Sequence, residues 1–453
     1  MMRYVFLAAV LSGSLAAQTP PPTVLKQSPD LKLSPVLKLS LDDAIQRGIR
    51  NNLGVLERQT GDQLTRIARV RALSALLPTV NAAVSQNVQE INLAVFGFRF
   101  PGIPTIIGPF GYQDIRAFAE SDLYNRATRL RLKVADQNIR ASELGTQDSR
   151  DLVVEAVANG YLTILASAAR VDAAKSEVST AQALFERARD QHNAGTSPAI
   201  DELRSRVQSQ GRQQQLLTVQ NQFAKNKLRL AQVIGLPPGQ EFDLSDDAPY
   251  SPLDSLTADS LLDRARMSRA DFRGLQAQLQ AAKMTREAAL AERYPTLTAS
   301  GNYGVNGVNQ AQLHQTFAFT GAVKVNVFDG GRIRADVAQA DAVMDQRKNE
   351  IADLERRIDV DIRSALLDLK TAADQVVVAE SNLDLATQTL TQARDRFAAG
   401  VTDNIEVVQA QDAVANSQES LIASRYGHNL AKVALARAVG ATEISLKQFL
   451  GAK

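Results

Sequence analysis

The 453-residue chain has no cysteine and no tryptophan, and aromatic residues make up only 5% of it. Without cysteine there are no disulfides, thiolate metal sites, catalytic thiols or lipid anchors on an amino-terminal cysteine. The low aromatic content argues against a globular enzyme, because enzyme cores usually depend on aromatic bulk. The 51 basic and 49 acidic residues give a net charge of +2, which argues against an electrostatic nucleic-acid binder.

The sequence also lacks a long apolar run. The run near the amino terminus spans residues 5–11, follows Arg3 and precedes the small residues Ser14 and Ala16, which is the layout of a secretory signal. It is far shorter than the ~20 apolar residues that span a bilayer. We therefore expect residues 1–17 to be removed on export and residues 18–38 to form a proline-rich extended segment. The mature chain is expected to have no membrane-spanning helix.

What the chain does contain is a heptad pattern that occurs twice, 205 residues apart. In the first copy, apolar residues recur every seven positions at Val157, Ile164, Val171, Val178 and Phe185. Their counterparts are also apolar, at Ile362, Leu369, Val376, Leu383 and Leu390. Alanines repeat beside both seams, and Gly195 corresponds to Gly400. Such a seam predicts long, closely packed helical hairpins, so we expect a mainly α fold built by duplication.

A stretch before each helical hairpin changes to a period of two. Apolar and polar residues alternate in four segments, at 79–96, 114–124, 296–306 and 316–328. This alternation predicts two β-hairpins, 79–125 and 296–328, and four strands in all. Residues 96–112 are rich in glycine, proline and aromatics, so we expect a surface loop about 13 residues longer than its counterpart in the second hairpin.

These patterns divide the chain into two structural repeats, 39–245 and 246–445, and a carboxyl-terminal tail, 446–453. Each repeat is expected to run helix, β-hairpin, long helix, tight turn and return helix, with the turns at 193–198 and 398–403. The segment from Arg126 to Ala194 has no proline, so as one helix it would reach ~100 Å.

Four two-faced strands cannot lie open in lipid, because their edge amides would have no hydrogen-bond partners there. A closed barrel removes the edges, but bacterial outer-membrane barrels have at least eight strands. Several chains would therefore have to contribute, and three would give twelve strands. A soluble sheet half-buried against helices produces the same alternation. The ~100 Å helices favour the barrel, because a pore in one membrane needs such an extension to cross a periplasm.

Six short motifs occur in order along the chain, and together they carry a family resemblance. They are Leu39-Ser40-Leu41-Asp42-Asp43-Ala44, Asn51-Asn52-Leu53, Leu77-Pro78-Thr79, Phe328-Asp329-Gly330-Gly331-Arg332, Arg396-Phe397-Ala398-Ala399-Gly400 and Val407-Val408-Gln409-Ala410-Gln411. Over residues 39–440 this set resembles the TolC-type outer-membrane efflux protein family. Each motif is weak alone, and their order makes the set specific.

The resemblance implies a mainly α protein with a small β part. It implies a homotrimer, in which four strands per chain form a 12-stranded transmembrane β-barrel in the outer membrane of a Gram-negative-type bacterium. The helical hairpins would form a periplasmic α-barrel. Implied partners are outer-membrane lipid, a periplasmic adaptor (membrane fusion) protein, and an inner-membrane pump or ABC transporter. In that family, turns such as those at Gly195 and Gly400 form the periplasmic tip, where we expect the adaptor to dock.

Two carboxylates occupy equivalent places after the turns. Asp201 and Glu406 each lie six residues after the turn glycine, so three chains would bring six carboxylates to the tip and favour cations at the pore entrance. The resemblance supports Glu406, whereas Gln409 stands where relatives can carry a second carboxylate. The simpler interpretation is that acids in a first helical turn only stabilise the helix dipole, by ~0.3–1 kcal/mol.

Some relatives close the tip with a tyrosine and an arginine around the second turn. The corresponding places here hold Phe397 and Thr402, which cannot form those polar links. We therefore expect a different closure, with Arg394, Arg396 and Asp403 as the candidate gate residues. An ordinary solvated helix face is the competing interpretation for these three.

No catalytic, cofactor or metal site is expected. The three histidines, His192, His314 and His428, are far apart in sequence and show no metal-ligand spacing. The leading hypothesis is a passive outer-membrane exit duct of a tripartite efflux or type I secretion system, with the transport energy supplied by a partner pump. The alternative is a non-conducting periplasmic coiled-coil scaffold or adaptor.

Overall fold

The computed structural model of the protein describes residues 36–97, 101–246, 250–253, 257–399, 401–402, 404–440 and 442–450. The expected signal segment, almost all of the proline-rich segment, Gly400 and Asp403 lie outside these residues. The described part consists of long helices attached to a small β-sheet. The prediction of a mainly α fold is confirmed.

The secondary structure follows the predicted order in both repeats, except that two helices instead of one precede each β-hairpin. The helices are α1 (Leu41–Asn51), α2 (Leu53–Ser74), α3 (Arg126–Asn193), α4 (Ala199–Val233), α5 (Ala258–Ser268), α6 (Ala270–Ala291), α7 (Arg332–Ala398), α8 (Asn404–Val439) and α9 (Thr442–Leu450). The strands are β1 (Leu37–Leu39), β2 (Thr79–Asn92), β3 (Ile106–Tyr124), β4 (Phe242–Leu244), β5 (Thr296–Gly307) and β6 (His314–Lys324).

The two longest helices, α3 and α7, have 68 and 67 residues. At 1.5 Å per residue each is ~100 Å long, as the proline-free segment predicts. Asn125 caps the start of α3 by accepting a hydrogen bond from the Thr128 amide at 3.1 Å. Heptad residues such as Val157 and Ile362 have no exposed surface, because they form the seam between packed helices.

The helices lie side by side as a single layer. In the part near the sheet, the neighbours in order are α2, α3, α6 and α7, and toward the turns they are α4, α3, α8 and α7. Helix α3 therefore has a helix on each side, whereas α2, α4 and α7 lie at the two edges of the layer. This difference determines which apolar residues are covered within one chain.

The main core forms where the two parts of the helical layer meet. Tyr161 of α3 is buried there, and its hydroxyl donates to the Leu39 carbonyl at 3.1 Å. Leu39 belongs to β1, which pairs with β4 as a two-stranded parallel sheet. The sequence analysis missed this sheet, because three-residue strands are too short to show a period of two.

The carboxyl-terminal end also contributes to the core. Leu446 and Phe449 of α9 are buried in it. The expected boundary between the second repeat and a tail at 446–453 therefore falls inside a packed helix. The sequence could not show this, because the segment is shorter than two heptads.

The four predicted strands form one sheet in the order β2-β3-β5-β6, with every pair antiparallel. Several boundaries differ from the prediction, and strand β2 ends at Asn92 instead of residue 96. Residues 106–112 belong to β3 instead of a surface loop, because they pair with residues 87–92 of β2. Strand β6 ends at Lys324, so residues 325–328 lie outside the second hairpin.

One helix also differs from the expectation for membrane spans. Among the described residues, α3 alone contains an 18-residue window that is apolar enough to cross a membrane by length and composition. Nearly half of that window is buried in the protein. Helix α3 carries the main core residues Val157, Tyr161 and Ile164. A buried core helix meets the same criteria of length and composition as a membrane-spanning helix.

Candidate functional site: the sheet, the layer edges and the helical tip

The register of the sheet gives it one continuous apolar face. Rows across the four strands combine Ala82, Ala117, Tyr303 and Phe317, and then Val80, Ala119, Gly301 and Phe319. This face continues through Val84, Ile115 and Val305 to Gln86, Gln113 and Gln315, and no described residue on it is charged within the four-stranded part of the sheet. Its large side chains are exposed within one chain, with Phe317 and Phe319 81% and 79% exposed. The sheet thus presents apolar side chains that none of the described residues covers.

The opposite face of the sheet is polar and carries the charges. Asp114, Arg116 and Glu120 of β3 lie on it, beside Asn302 and Ser300 of β5. The Arg116 guanidinium pairs with the Asp114 carboxylate, with an Nε–Oδ1 distance of 2.6 Å. A largely apolar face without charges, opposite a charged face, is the distribution of a barrel wall with lipid outside and water inside.

A glycine allows the close approach of β3 and β5 beneath Arg116. A Cβ atom at Gly304 would lie 2.1 Å from the Ile115 carbonyl oxygen and 2.5 Å from Cγ of Arg116. Any side chain there would push the strands apart. The alternating pattern alone treats Gly304 as a polar-face position without identifying this requirement.

The two outer strands, β2 and β6, each have one side without a strand partner in the described chain. The helical layer has corresponding open edges. On the β2 side, α2 exposes Leu64, Ile67 and Val70, and α4 exposes Leu203 and Val207. On the β6 side, α7 exposes Val360, Leu367, Val378 and Leu385. Unpaired edge amides and apolar stripes on the same two sides indicate surfaces for association.

The first helical turn adopts a glycine-dependent conformation. Gly195 has a φ of +73°, which is the left-handed region that favours glycine at a helix end. Its amide donates to the His192 carbonyl at 2.9 Å, and the next amide, of Thr196, donates to the Gln191 carbonyl at 2.9 Å. The second turn repeats this bond, since the Val401 amide donates to the Arg396 carbonyl at 3.0 Å.

Asp201 lies in the first turn of α4, close to the first helical turn. Its Oδ2 atom accepts a hydrogen bond from the Ser197 hydroxyl at 3.0 Å, and its Oδ1 atom lies 3.6 Å from Nη1 of Arg204. The carboxylate side chain is only 14% exposed. Asp201 is therefore largely occupied by local partners on its own helix.

Glu406 occupies the equivalent position in α8 but has a different partner. The Thr402 hydroxyl donates to it, as Ser197 does to Asp201. Its Oε1 atom also lies 2.9 Å from Nη1 of Arg396, which comes from the other helix of the hairpin. This ion pair, between side chains 37% and 56% exposed, balances the charge of the proposed pore-entrance carboxylate within one chain.

The candidate gate residues thus separate into distinct environments. Arg396 pairs with Glu406, whereas Arg394 is exposed and no described residue forms an ion pair with it. Phe397 packs beside Ala393, Val407 and Ala410 in a small apolar cluster. Closure of the tip by a gate stays a prediction, and Asp403 lies outside the described residues.

A polar cluster that the sequence analysis missed joins the two helical hairpins. Arg212 of α4 donates to Glu177 of α3 at 3.0 Å and also contacts Asp412 of α8. Gln208 donates to the same Asp412 carboxylate at 2.8 Å. Burial raises the pKa of Glu177, and the nearby Arg212 charge offsets part of that rise. No sequence pattern could show this contact, because its members are up to 235 positions apart.

The histidines lie in three separate places. His192 is in the last turn of α3, His314 begins β6, and His428 is buried in α8 beside the Tyr250 ring. Within the part of the chain that the structure describes, no three His, Cys, Asp or Glu residues are grouped as metal ligands. The features described above are exposed apolar surfaces and unpaired strand edges, which are typical of surfaces that bind partners.

Comparison with known proteins identifies the family. The family model described as outer membrane efflux protein matches residues 71–236 and 261–441. The toluene efflux pump outer membrane protein TtgF of Pseudomonas putida is 24% identical, over 88% of this chain and 82% of its own length. The pyoverdine export outer membrane protein OpmQ of Pseudomonas aeruginosa is 23% identical, over 91% of this chain and 87% of its own length.

Solved structures share the fold. The outer membrane protein VceC of Vibrio cholerae superimposes with a TM-score of 0.74 at 17% identity, covering 91% of this chain and 96% of its own. The Campylobacter jejuni CmeC outer membrane channel gives a TM-score of 0.76 at 15% identity, covering 90% and 89%. The matched segments contain the sheet, the long helices and both turns described above, and the chain belongs to the outer membrane efflux protein family.

Proposed function

We propose that this protein is the outer-membrane exit duct of a tripartite efflux or type I secretion system. It acts as a homotrimer and performs no chemistry of its own. The observation that carries the proposal is the single apolar face shared by all four strands, ending at two unpaired edges. In a bilayer these edges must pair, because lipid offers no hydrogen bonds to backbone amides.

The positions of the open edges favour a ring of identical chains. The exposed elements β2, α2 and α4 lie on one side of the molecule, and β6 and α7 lie on the other. These two sides differ, so each can pair only with the opposite side of another copy, which closes a ring. Since β2 and β6 are antiparallel to each other, their pairing continues the antiparallel sheet around the ring.

The size of a useful pore favours three copies. Two copies would give eight strands, and the interior of an eight-stranded barrel is filled by side chains. Three copies give twelve strands and leave a space through the centre. Strands β5 and β6 have 12 and 11 residues, and a tilted strand needs about 9–11 to cross the hydrocarbon core.

The helical layer supports the same ring. The apolar stripe of α4, which also exposes Leu217 and Leu228, would meet the stripe of α7, at Leu385 and Leu367, at matching heights in a neighbouring copy. Closing three such layers would make a tube ~100 Å long that ends at the turns. A tube of this length would carry cargo from the periplasm into the barrel.

The adaptor and the pump complete the proposed system. The turns at Gly195 and residues 401–402 lie at the end of the helices that is farthest from the sheet. We assign the docking of a periplasmic adaptor to this end, because it is the part that can approach the inner membrane. An inner-membrane pump or ABC transporter would then supply the energy that this protein does not generate. Export by a cleaved signal of residues 1–17 would deliver the chain to the outer membrane.

Planar-bilayer recording of the purified protein tests this function. The native protein should give discrete conductance steps, and a non-conducting scaffold would give none. Arginine at Phe319 on the apolar face should prevent stable insertion, because it costs about 2–4 kcal/mol per copy at the bilayer midplane. The matched control, Thr320→Arg, places the same charge on the polar face and should insert and conduct. Equal insertion of the two variants, or a monomer soluble without detergent, would contradict the proposal.

A further inference from the structure

The first β-hairpin is longer than the second and extends past the four-stranded sheet. Strand β5 pairs with β3 only from Gln113 onward. Residues 87–92 of β2 and 106–112 of β3 pair with each other and with no further described strand. We call this two-stranded extension the ribbon. At ~3.3 Å per residue it projects roughly 20 Å beyond the sheet, on the side away from the helices.

The composition of the ribbon is unusual for a segment in water. Glu90 is the only charged residue of the ribbon, and Arg99 is the only charged residue between Glu90 and Asp114. Apolar side chains are exposed along it and at its tip. They include Val88, Val95, Phe96, Ile103 and Ile106, each at least half exposed. Exposed apolar groups in such density indicate an interaction surface.

The register shows where the character of the polar face changes. On that face, the β2–β3 pairs in the sheet combine Ala83 with Arg116 and Ser85 with Asp114. Farther along the same face, in the ribbon, Gln89 pairs with Phe110 and Ile91 pairs with Ile107. The face that is charged within the sheet therefore becomes apolar beyond it. The other face of the ribbon is mixed, because it combines the apolar Val88 and Ile106 with the polar Glu90 and Asn92.

From this change we propose that the ribbons of three copies converge over the outer mouth of the barrel and contact one another through Ile91, Ile107 and Phe110. The inference rests on the proposed trimeric duct. In that duct the polar face lines the water-filled bore, so lipid cannot reach apolar groups on the same face above it. Another copy of the same ribbon is the apolar partner that three-fold symmetry supplies there.

The contact has a functional consequence. Apolar side chains that meet across a pore exclude water and block ions even when the opening is not sterically closed. The ribbons therefore narrow the duct at its outer end, at the opposite end from the Arg396–Glu406 pair. Ion flow through the isolated trimer is then limited at the ribbon as well as at the tip.

Because the native chain has no cysteine, single cysteines give an unambiguous test in the full-length trimer. Under mild oxidation, Ile107→Cys should form disulfide-linked dimers between copies. Ile106→Cys, at the adjacent position on the other face, should not. Equal crosslinking at the two positions, or crosslinking at 106 alone, overturns the proposal.

Conductance gives the second test. The double variant Ile91→Asn/Ile107→Asn should raise single-channel conductance severalfold by wetting the outer mouth. The control Val88→Asn/Ile106→Asn changes the opposite face and should conduct like the native protein. If the native protein conducts and the first variant conducts no better, the ribbon contact is wrong while the duct stands. If the native protein gives no conductance steps, both proposals fail.

Lipid is the competing occupant, and the absence of tryptophan from the native chain allows it to be tested. A single reporter, Phe110→Trp, should fluoresce equally in ordinary and brominated lipid vesicles if the ring faces other ribbons. Quenching by brominated lipid would show the ring in the membrane and would overturn the proposal.

Discussion

Leu162 and Leu367 occupy the same position in the two repeats, yet their surroundings are opposite. Leu162 of α3 has no exposed surface, whereas Leu367 of α7 is 66% exposed. Their heptad neighbours are equivalent in sequence, so the difference comes from the position of each helix in the layer. Helix α3 has neighbours on both sides, and α7 is at an edge. An apolar residue that recurs in both repeats but is exposed in one of them indicates a surface for another chain to cover.

The same repeat comparison distinguishes two lysines. Lys227 of α4 is partly exposed, pairs with Asp243 at 3.1 Å and lies over the Phe223 and Phe242 rings. Its counterpart in α8, Lys432, is 1% exposed and donates to the Ser251 carbonyl at 2.6 Å. One ammonium group is thus paired near water, and the other is buried with a neutral acceptor.

The largest expected effect comes from substituting the two leucines identically. Leu162→Ala should destabilise each chain by about 2–5 kcal/mol, because it leaves a cavity in the main core. Leu367→Ala should leave the fold of a single chain intact and weaken the trimer. Thermal unfolding by circular dichroism measures the first effect, and the temperature at which trimers dissociate on a semi-native gel measures the second. Equal loss of chain stability would show that α7 is not at an open edge.

A smaller effect is expected from pH. Burial lowers the pKa of Lys432, so the folded protein releases this proton at a lower pH than the unfolded chain, whose lysines titrate near ~10.4. Between the two values the unfolded state binds more protons, and stability rises with pH. Below the folded-state pKa, Lys432 is charged in both states, and its contribution to the stability of the fold is constant and unfavourable.

Lys432→Met should remove that alkaline rise, which melting temperatures measured across the alkaline range would show. The matched variant Lys227→Met removes an ion pair that is partly exposed to water. It should lower stability by less than about 1 kcal/mol. A slope that persists without Lys432 would assign the titration to another group.

The smallest expected effect is at the tip, where the repeats differ in how the carboxylate is paired. Arg396→Gln should free Glu406 and increase the preference for cations, measured as a shift in reversal potential under a salt gradient. Arg204→Gln should have a weaker effect, because Arg204 lies 3.6 Å from Asp201, whereas Arg396 lies 2.9 Å from Glu406. Both shifts should shrink at high salt through screening. Unchanged selectivity in the double variant Asp201→Asn/Glu406→Gln would discard the acidic ring.

Sequence periodicity was sufficient for the long helices and the four strands. The proline-free segment after Arg126 predicted α3 to within a residue of its end, because a helix that long has a period that no other structure shares. Sequence periodicity failed for residues 106–112. Their two glycines and one proline indicate a loop, although these residues form a paired strand. It also failed for β1 and β4, since three residues show no period.

The candidate site was predicted only in part. The positions of Asp201 and Glu406 after their turns follow from the repeat, but the Arg396 partner of Glu406 depends on the packing of two helices against each other. The Arg212 cluster likewise joins three helices from both repeats. Contacts between distant segments leave no mark on local composition or spacing.

The sequence by itself determined which faces are apolar, because side-chain alternation and heptad spacing are properties of the local backbone. It determined the duplication, the lengths of the long helices and the family through its ordered motifs. Only the tertiary structure decided that the apolar faces of four strands lie on one side of one sheet. It also decided that α3 is covered while α7 is open. These outcomes depend on register and on the order of neighbours, which are set by contacts between residues far apart in the chain.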